Sequence, residues 1–215
     1  MPPVVSIVGK SNSGKTTFLE KLIRELTARG YKVATIKHSH HSLSFDQPKK
    51  DSWRHAQAGS VATVVSSATA ISLIKSVARE PSIDDIVHML GEDYDIVLTE
   101  GFSLGDAPKI EVHRKETGTL LKDARKLIAV VTDEPLEKKV RQFGLDDVKG
   151  VADLLEEGFI KPQQERISLY VNGENVPLTA FPRQIITNVL MAMAASLKGV
   201  DKIKSLDISY RGEPK

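Results

Sequence analysis

Val4-Val5-Ser6-Ile7-Val8-Gly9-Lys10-Ser11-Asn12-Ser13-Gly14-Lys15-Thr16-Thr17 is the stretch that decides the fold of this chain. Its first five residues are rich in valine and predict a buried strand, and apolar residues recur at helical spacing over 17–29. Between strand and helix lies the pattern G-x-x-x-x-G-K-T, whose glycines let backbone N–H groups approach phosphate oxygens. A phosphate loop in this position predicts nucleotide binding.

Each residue type in this loop suits a triphosphate. Lys15 is expected to reach the β and γ phosphates as a catalytic residue, and the Thr16 hydroxyl to ligate Mg²⁺. Two interpretations of Lys10 stay open: a solvated surface lysine, or a lysine that reaches the nucleotide of a second subunit, as in deviant P-loops of dimeric ATPases. The residues expected to bind the nucleotide are Gly9, Lys10, Ser11, Asn12, Ser13, Gly14, Lys15, Thr16 and Thr17.

Strand and helix patterns alternate to about residue 160. Gly30 ends the first helix and residues 32–37 form the next strand, so the chain opens with a parallel βαβ unit. Further strands are predicted at 61–66, 71–75, 95–99, 110–112 and 126–132, and further helices at 51–58, 82–91, 136–143 and 151–158. The pattern predicts an α/β domain over residues 1–162, with a doubly wound, mostly parallel sheet of the P-loop NTPase type.

The pattern changes after Pro162. Residues 163–215 are predicted to form a small α+β extension with the order ββαβ: strands at 167–171 and 176–180, a helix at 183–197 and a last strand at 203–209.

Composition excludes several classes of function. The 30 Lys and Arg residues nearly balance 28 Asp and Glu, so the charge of +2 provides no strong field for steering onto nucleic acid or anionic lipid and disfavours their binding by bulk charge. Cysteine is absent, which excludes thiolate metal sites and disulfides. Apolar runs are short and the N-terminus lacks the cationic region of a secretory signal. We expect a cytoplasmic protein without nucleic-acid or membrane partners.

A second acidic site follows the strand predicted at 95–99. Glu100 lies at its carboxyl end, where ligands bind in open α/β sheets, and Gly101 leaves room for a phosphate. Glu100 is therefore the expected partner of Thr16 in binding Mg²⁺, and the expected catalytic carboxylate beside Lys15. The base is harder to predict, because no Asn-Lys-x-Asp motif occurs; Asp133, after an apolar strand, is a candidate for the guanine edge.

The polar segment after the second strand contains three histidines in five residues, Lys37-His38-Ser39-His40-His41. Such a cluster could bind a transition metal, or the segment could bind a substrate or a phosphate through Lys37. Asp46 and Asp51 are candidate outer-sphere Mg²⁺ ligands or water-positioning residues, or else loop and helix-cap residues. Asp51 is included among the expected nucleotide-binding residues.

Four groups of residues form a combined pattern. They are Gly9 to Thr17, Ile36 to His41, Lys50-Asp51-Ser52-Trp53-Arg54 with Ala58-Gly59, and Glu100-Gly101-Phe102 with Pro108-Lys109-Ile110-Glu111. In order and spacing, this pattern resembles the molybdopterin-guanine dinucleotide biosynthesis protein B (MobB) family over about residues 4 to 160. One departure is Lys49, since many relatives have Pro-Gly-Lys-Asp-Ser where this chain has Pro48-Lys49-Lys50-Asp51-Ser52.

The resemblance implies a GTP-binding adaptor with weak Mg²⁺-dependent GTPase activity. Such a protein is usually a homodimer and assists the molybdopterin guanylyltransferase (MobA-like) that attaches GMP to molybdopterin; molybdopterin-bearing proteins are further candidate partners. Residues 9–17 are then implicated in phosphate binding, Thr16 and Glu100 in binding Mg²⁺, and residues 38–54 in responding to nucleotide or cofactor. The glycine missing at Lys49 puts in doubt any switch that depends on it.

Two alternatives from other classes remain at this point. A small-molecule kinase should carry several arginines in a lid, but residues 101–126 contain only Arg114 and Arg125. A nickel-type metallochaperone GTPase would use His38, His40 and His41 as metal ligands.

Overall fold

A parallel sheet is built around the first strand of the chain. In the computed structural model, which describes residues 1–39, 50–122, 124–163 and 166–212, β1 (Val4–Val8) is followed by α1 (Lys15–Ala28) and β2 (Val33–Lys37). Four of the five β1 residues are buried, as the apolar run predicted. The predicted βαβ start is therefore confirmed. The chain divides into two compact units, Met1–Gln164 and Glu165–Lys215.

The first unit contains a six-stranded sheet in the order β2-β5-β1-β6-β7-β8. Every neighbouring pair in this sheet is parallel. The other elements of the unit are α2 (Asp51–Gln57), β3 (Ala62–Ser66), β4 (Ile71–Lys75), α3 (Ile83–Leu90), β5 (Ile96–Glu100), β6 (Lys109–His113), β7 (Leu127–Thr132), β8 (Arg141–Gly144) and α4 (Val148–Leu155). The π turn Glu156–Ile160 and the 3-10 turn Lys161–Gln163 follow α4.

Helices cover both faces of the sheet. Leu22 and Leu26 of α1 pack with Leu155 of α4 against one face. Val87 of α3 packs with Ile36 on the other face. The predicted doubly wound α/β fold is confirmed, since the central strands are buried and helices pack on both faces of the sheet.

One predicted helix of this unit is wrong. Residues 136–143 form no helix; a turn leads instead into β8, which pairs with β7. The amide of Gln142 explains the difference, because its Oε1 accepts from the Leu136 N–H at 2.9 Å and its Nε2 donates to the Leu136 carbonyl at 2.7 Å. The backbone groups of Leu136 are thus bound by a side chain and do not start a helix.

The strands β3 and β4 form a separate antiparallel hairpin. Its two strands pair only with each other among the described residues, and β3 also packs against α2. Several apolar side chains of the hairpin are exposed: Val64, Val65, Ile71 and Leu73, with Val61 and Val77 on either side of it.

The second unit is simpler than the predicted ββαβ order. It contains β9 (Tyr170–Val171) and β10 (Glu174–Asn175), joined at Asn172 and Gly173, and then α5 (Ala180–Ala195). The last predicted strand, residues 203–209, is not formed. A hairpin of two residues per strand offers little edge for a third strand, and strand propensity without a pairing partner does not produce a strand. Among the described helices of both units, none is long and apolar enough to cross a membrane.

Candidate nucleotide-binding site

The phosphate loop begins where β1 presses against β6. Gly9 has a φ of 145°, and a Cβ there would lie 2.3 Å from the Val112 carbonyl oxygen and 2.8 Å from Ser13 Oγ. Only glycine fits so close to backbone. Gly14, with a φ of 90°, is the residue before α1, so the backbone N–H groups of the first turn of α1 face the loop.

Lys15 places its ammonium inside the loop. Its Nζ donates to the carbonyl of Gly9 at 2.9 Å and to that of Lys10 at 2.6 Å. Burial lowers the pKa of Lys15, the negative charge of Glu100 acts in the opposite direction, and Lys37 lowers it further. The side chain is thus a partly desolvated cation held by two backbone carbonyls of the loop.

Glu100 is the last residue of β5 and lies beside the carboxyl ends of β1 and β2. In the sheet register it lies opposite Ile7 of β1 on one side and Lys37 of β2 on the other. Its Oε1 accepts a hydrogen bond of 3.0 Å from the Thr16 hydroxyl and lies 3.6 Å from Lys37 Nζ, and its side chain is 14% exposed. The carboxylate therefore stands beside the loop, at the end of the sheet where ligands bind.

Gly101 provides space for the chain after β2. It has a φ of 105°, and a Cβ there would lie 3.2 Å from the Cβ of His38. Its N–H donates to the Ile7 carbonyl at 3.1 Å, and the His38 ring lies 4.6 Å from that of Phe102. The close approach at Gly101 is thus to His38.

Comparison with known proteins identifies the family. The family described as Molybdopterin guanine dinucleotide synthesis protein B, MobB, matches residues 4–133. The molybdopterin-guanine dinucleotide biosynthesis adapter protein of Haemophilus influenzae is 38% identical over 156 residues, which cover 72% of this chain and 88% of that protein. The protein of the same name from Escherichia coli strain K12 is 35% identical over 163 residues, covering 73% and 93%.

Solved structures agree with this match. A crystal structure of molybdopterin-guanine biosynthesis protein B has a TM-score of 0.59 and 31% identity, and the similarity covers 72% of this chain and 98% of that one. The chain belongs to the MobB family. The resemblance inferred from its motifs is confirmed.

Some residues expected to act in this MobB-family site have other contacts or fall outside the described part of the chain. The carboxylate of Asp51 is exposed and lies 3.4 Å from Arg54 of the same helix, a contact that does not connect it to the loop. Asp46, His40, His41 and Lys49 fall within residues 40–49, outside the described residues. His38 lies 3.4 Å from Glu80. Among the described residues, no group of three or more His, Asp or Glu is placed to hold a metal ion.

The structure of this MobB-family chain gives Lys10 partners within its own subunit. Lys10 Nζ donates to the Thr117 carbonyl at 3.2 Å and to the Thr119 hydroxyl at 3.4 Å. The carboxylate of Asp133 is also engaged nearby, since its Oδ1 accepts from the Lys115 N–H at 2.8 Å. The segment after β6 is thereby held next to the phosphate loop.

Glu111 is a site residue that the sequence pattern did not predict individually. An acidic residue inside the apolar run Ile110-Glu111-Val112 was the available signal. Its side chain is buried; Oε1 accepts from the Leu121 N–H at 2.7 Å, and Oε2 has no hydrogen-bond partner among the described residues. Burial raises the pKa of Glu111, and the Leu121 N–H acts in the opposite direction. Glu111 thus also holds the segment after β6.

Proposed function

We propose that this chain is a GTP-binding adapter of molybdopterin-guanine dinucleotide biosynthesis. It would assist the guanylyltransferase that attaches GMP to molybdopterin, act in the cytoplasm and hydrolyse GTP weakly. The observation that carries the proposal is the meeting of the Thr16 hydroxyl, the Glu100 carboxylate and the Lys15 ammonium at the phosphate loop of a MobB-family chain. No contact among the described residues favours the kinase or the metallochaperone.

The side chains at the mouth of the loop fit Mg²⁺. Mg²⁺ prefers oxygen ligands and is usually held by one or two protein oxygens together with phosphates and water. Thr16 Oγ1 and Glu100 Oε1 are 3.0 Å apart, and one is a hydroxyl and the other a carboxylate oxygen. We propose that these two residues hold the ion, which when bound neutralises charge on the phosphate oxygens.

Lys15 and Lys37 supply the positive charge of the site. Lys15, already enclosed by the carbonyls of Gly9 and Lys10, would exchange them for β and γ phosphate oxygens. Lys37, whose Nζ lies 3.6 Å from Glu100 Oε1, adds positive charge at the same edge of the sheet. Charge stabilisation of this kind would favour hydrolysis of the bound nucleotide.

Nucleotide selectivity and the role of Lys15 are tested together by calorimetric titration with GTP and ATP in Mg²⁺. Tighter binding of GTP than ATP is expected. Lys15→Ala should weaken GTP binding on the order of 100-fold, because a charge-assisted contact in a desolvated loop contributes a few kcal/mol. Lys32→Ala is the control, since Lys32 is an exposed partner of Asp93. Equal affinities for GTP and ATP would count against the adapter function. GTP binding that survives Lys15→Ala would count against the assignment of Lys15 to the phosphates.

We further propose that the protein is a homodimer and that the β3-β4 hairpin is its contact surface. A two-stranded hairpin is marginally stable in water, and exposed apolar strands pair readily with another chain. Val64 and Leu73 are directly opposite in the hairpin, and they are 60% and 50% exposed.

The hairpin proposal predicts that Val64→Glu with Leu73→Glu gives a monomer in sedimentation velocity. Leu104→Glu is the matched control, because Leu104 is 78% exposed and lies outside the hairpin. A dimer that persists in the double variant would place the interface elsewhere. Binding to the proposed partner is tested by mixing the wild-type protein with a MobA-like guanylyltransferase in the presence of GTP.

A further inference from the structure

Arg114 lies against the phosphate loop. It is the first residue after β6, and a Cβ built on Gly14 would lie 3.4 Å from its Nε, 3.6 Å from its Nη2 and 4.0 Å from its Cζ. Gly14 is the residue that precedes α1 in the loop. The guanidinium therefore lies beside Gly14, where the phosphate loop ends and α1 begins.

The guanidinium has donors that the protein does not use. Arg114 is half-buried, and within the described part of the chain its side chain makes no hydrogen bond or ion pair. In the neighbouring carboxylate of Asp146, Oδ1 accepts a hydrogen bond of 2.7 Å from Lys21 Nζ. That lysine is the main reason that the pKa of Asp146 is lowered, and Arg114 adds a smaller effect. A guanidinium offers five N–H donors in a fork that suits phosphate.

The backbone of Arg114 is held in place from several directions. Its carbonyl accepts from the Thr117 N–H at 2.9 Å and from the Thr117 hydroxyl at 2.7 Å. Lys115 N–H donates to Asp133, and Lys10 binds the Thr117 carbonyl. Because Val8 lies opposite Glu111 in the β1-β6 register, the ends of the two strands are side by side. The backbone contacts therefore fix the position from which the Arg114 side chain extends toward Gly14 before a ligand binds.

We propose that Arg114 is a nucleotide-binding residue supplied by the same subunit, which donates hydrogen bonds to the phosphates of the bound nucleotide. The class of ligand is a nucleoside polyphosphate; that it is GTP rests on the proposed function. Among the described residues only the charge of Asp146 is close enough to interact with the guanidinium, so its N–H donors are available to a ligand.

The test compares wild type with Arg114→Ala, Arg114→Lys and Arg125→Ala by calorimetry. The ligands are GTP, GMP, ATP and inorganic tripolyphosphate, each with Mg²⁺. Arg125→Ala is the control, because Arg125 is an exposed arginine of the same connection. Arg114→Ala should weaken GTP and tripolyphosphate binding on the order of 10- to 100-fold and GMP binding much less. Arg114→Lys, which keeps the charge but loses the fork, should fall between wild type and Arg114→Ala.

The outcomes show whether the assignment of Arg114 fails, the assignment of GTP fails, or both fail. The Arg114 proposal is overturned if Arg114→Ala binds GTP and tripolyphosphate within twofold of the wild-type affinities. It is also overturned if GMP affinity falls as much as GTP affinity, because that result would assign the contact to the nucleoside. If Arg114→Ala does not fold, as judged by urea unfolding, Arg114→Lys decides by the same comparison. If wild type binds ATP as tightly as GTP, the GTP assignment fails while the tripolyphosphate series still decides on Arg114. A wild type that binds none of the ligands refutes both.

Discussion

The hydroxyl of Thr16 donates a hydrogen bond of 3.0 Å to Oε1 of Glu100, a residue 84 positions further along the chain. Two elements create this contact. Thr16 lies in the first turn of α1, and Glu100 ends β5, which pairs with β1. The contact is an intramolecular bond between the two oxygens proposed to hold Mg²⁺, so disturbing either residue should change how nucleotide binding depends on the metal.

Glu100→Gln is predicted to reduce the Mg²⁺ dependence of GTP affinity. Glutamine keeps the shape of the side chain but removes the negative charge that attracts the ion, so we expect binding in Mg²⁺ to weaken about tenfold or more. Affinity in EDTA should change little. Calorimetry in Mg²⁺ and in EDTA measures both, with Glu20→Gln on the exposed side of α1 as the control. A Glu100→Gln protein with the Mg²⁺ dependence of wild type would remove Glu100 from the metal site.

Gly9→Ala is predicted to destabilise the first unit by about 2 kcal/mol or more. The added methyl group would meet the Val112 carbonyl at 2.3 Å, and the φ of 145° is unfavourable for alanine. Urea unfolding measures the change. Gly158→Ala is the matched control, since a Cβ at Gly158 would meet no atom within 4 Å. Equal stability of the two variants would contradict the close packing of β1 against β6.

Lys10→Ala is predicted to speed hydrogen exchange in residues 115–119. The substitution removes the donor to the Thr117 carbonyl and the Thr119 hydroxyl, and one such bond contributes about 1 kcal/mol, or roughly fivefold in local opening. Exchange followed by mass spectrometry reports on this segment. The sedimentation coefficient should stay that of wild type, because these partners belong to the same subunit. Unchanged exchange combined with a weakened dimer would instead support a lysine that reaches a second subunit.

Glu156 is predicted to make stability depend on pH in the acid range. Arg29 first, and then Lys161, lower the pKa of Glu156 from its ordinary value of 4.5 to about 2. A depressed carboxyl pKa means that its stabilising effect is complete above about 4.5, where the unfolded chain is also ionised, and is lost as the pH falls through about 2.

The difference in unfolding free energy between wild type and Glu156→Gln should therefore be largest above pH 4.5 and shrink toward pH 2. Urea titrations over this range measure it, with Glu20→Gln as the exposed control. A difference that does not vary with pH would show that the Arg29 contact contributes through packing alone. Since Arg29 follows α1 and lies 2.6 Å from Asp153 of α4, the cluster joins the end of the loop-bearing helix to its neighbour.

The local sequence pattern was sufficient to predict part of this fold. The apolar run at β1, the glycine spacing of the loop and the amphipathic α1 are each determined by residues close in sequence, so the βαβ start could be predicted. The helix expected over 136–143 and the strand expected over 203–209 were wrong for a related reason. A side-chain amide from Gln142 and the short β9-β10 hairpin decided those segments, and neither influence is visible in periodicity.

The sequence by itself determined that a phosphate loop follows β1 and that an acidic residue ends an apolar strand, because both are consequences of residue type and spacing. Only the tertiary structure decided that β1 lies between β5 and β6. That order brings Glu100 to Thr16, Arg114 to Gly14 and Thr117 to Lys10. Strand order depends on long-range pairing of similar apolar surfaces, which no local spacing specifies, and so the partners of the phosphate loop emerge only once the sheet has formed.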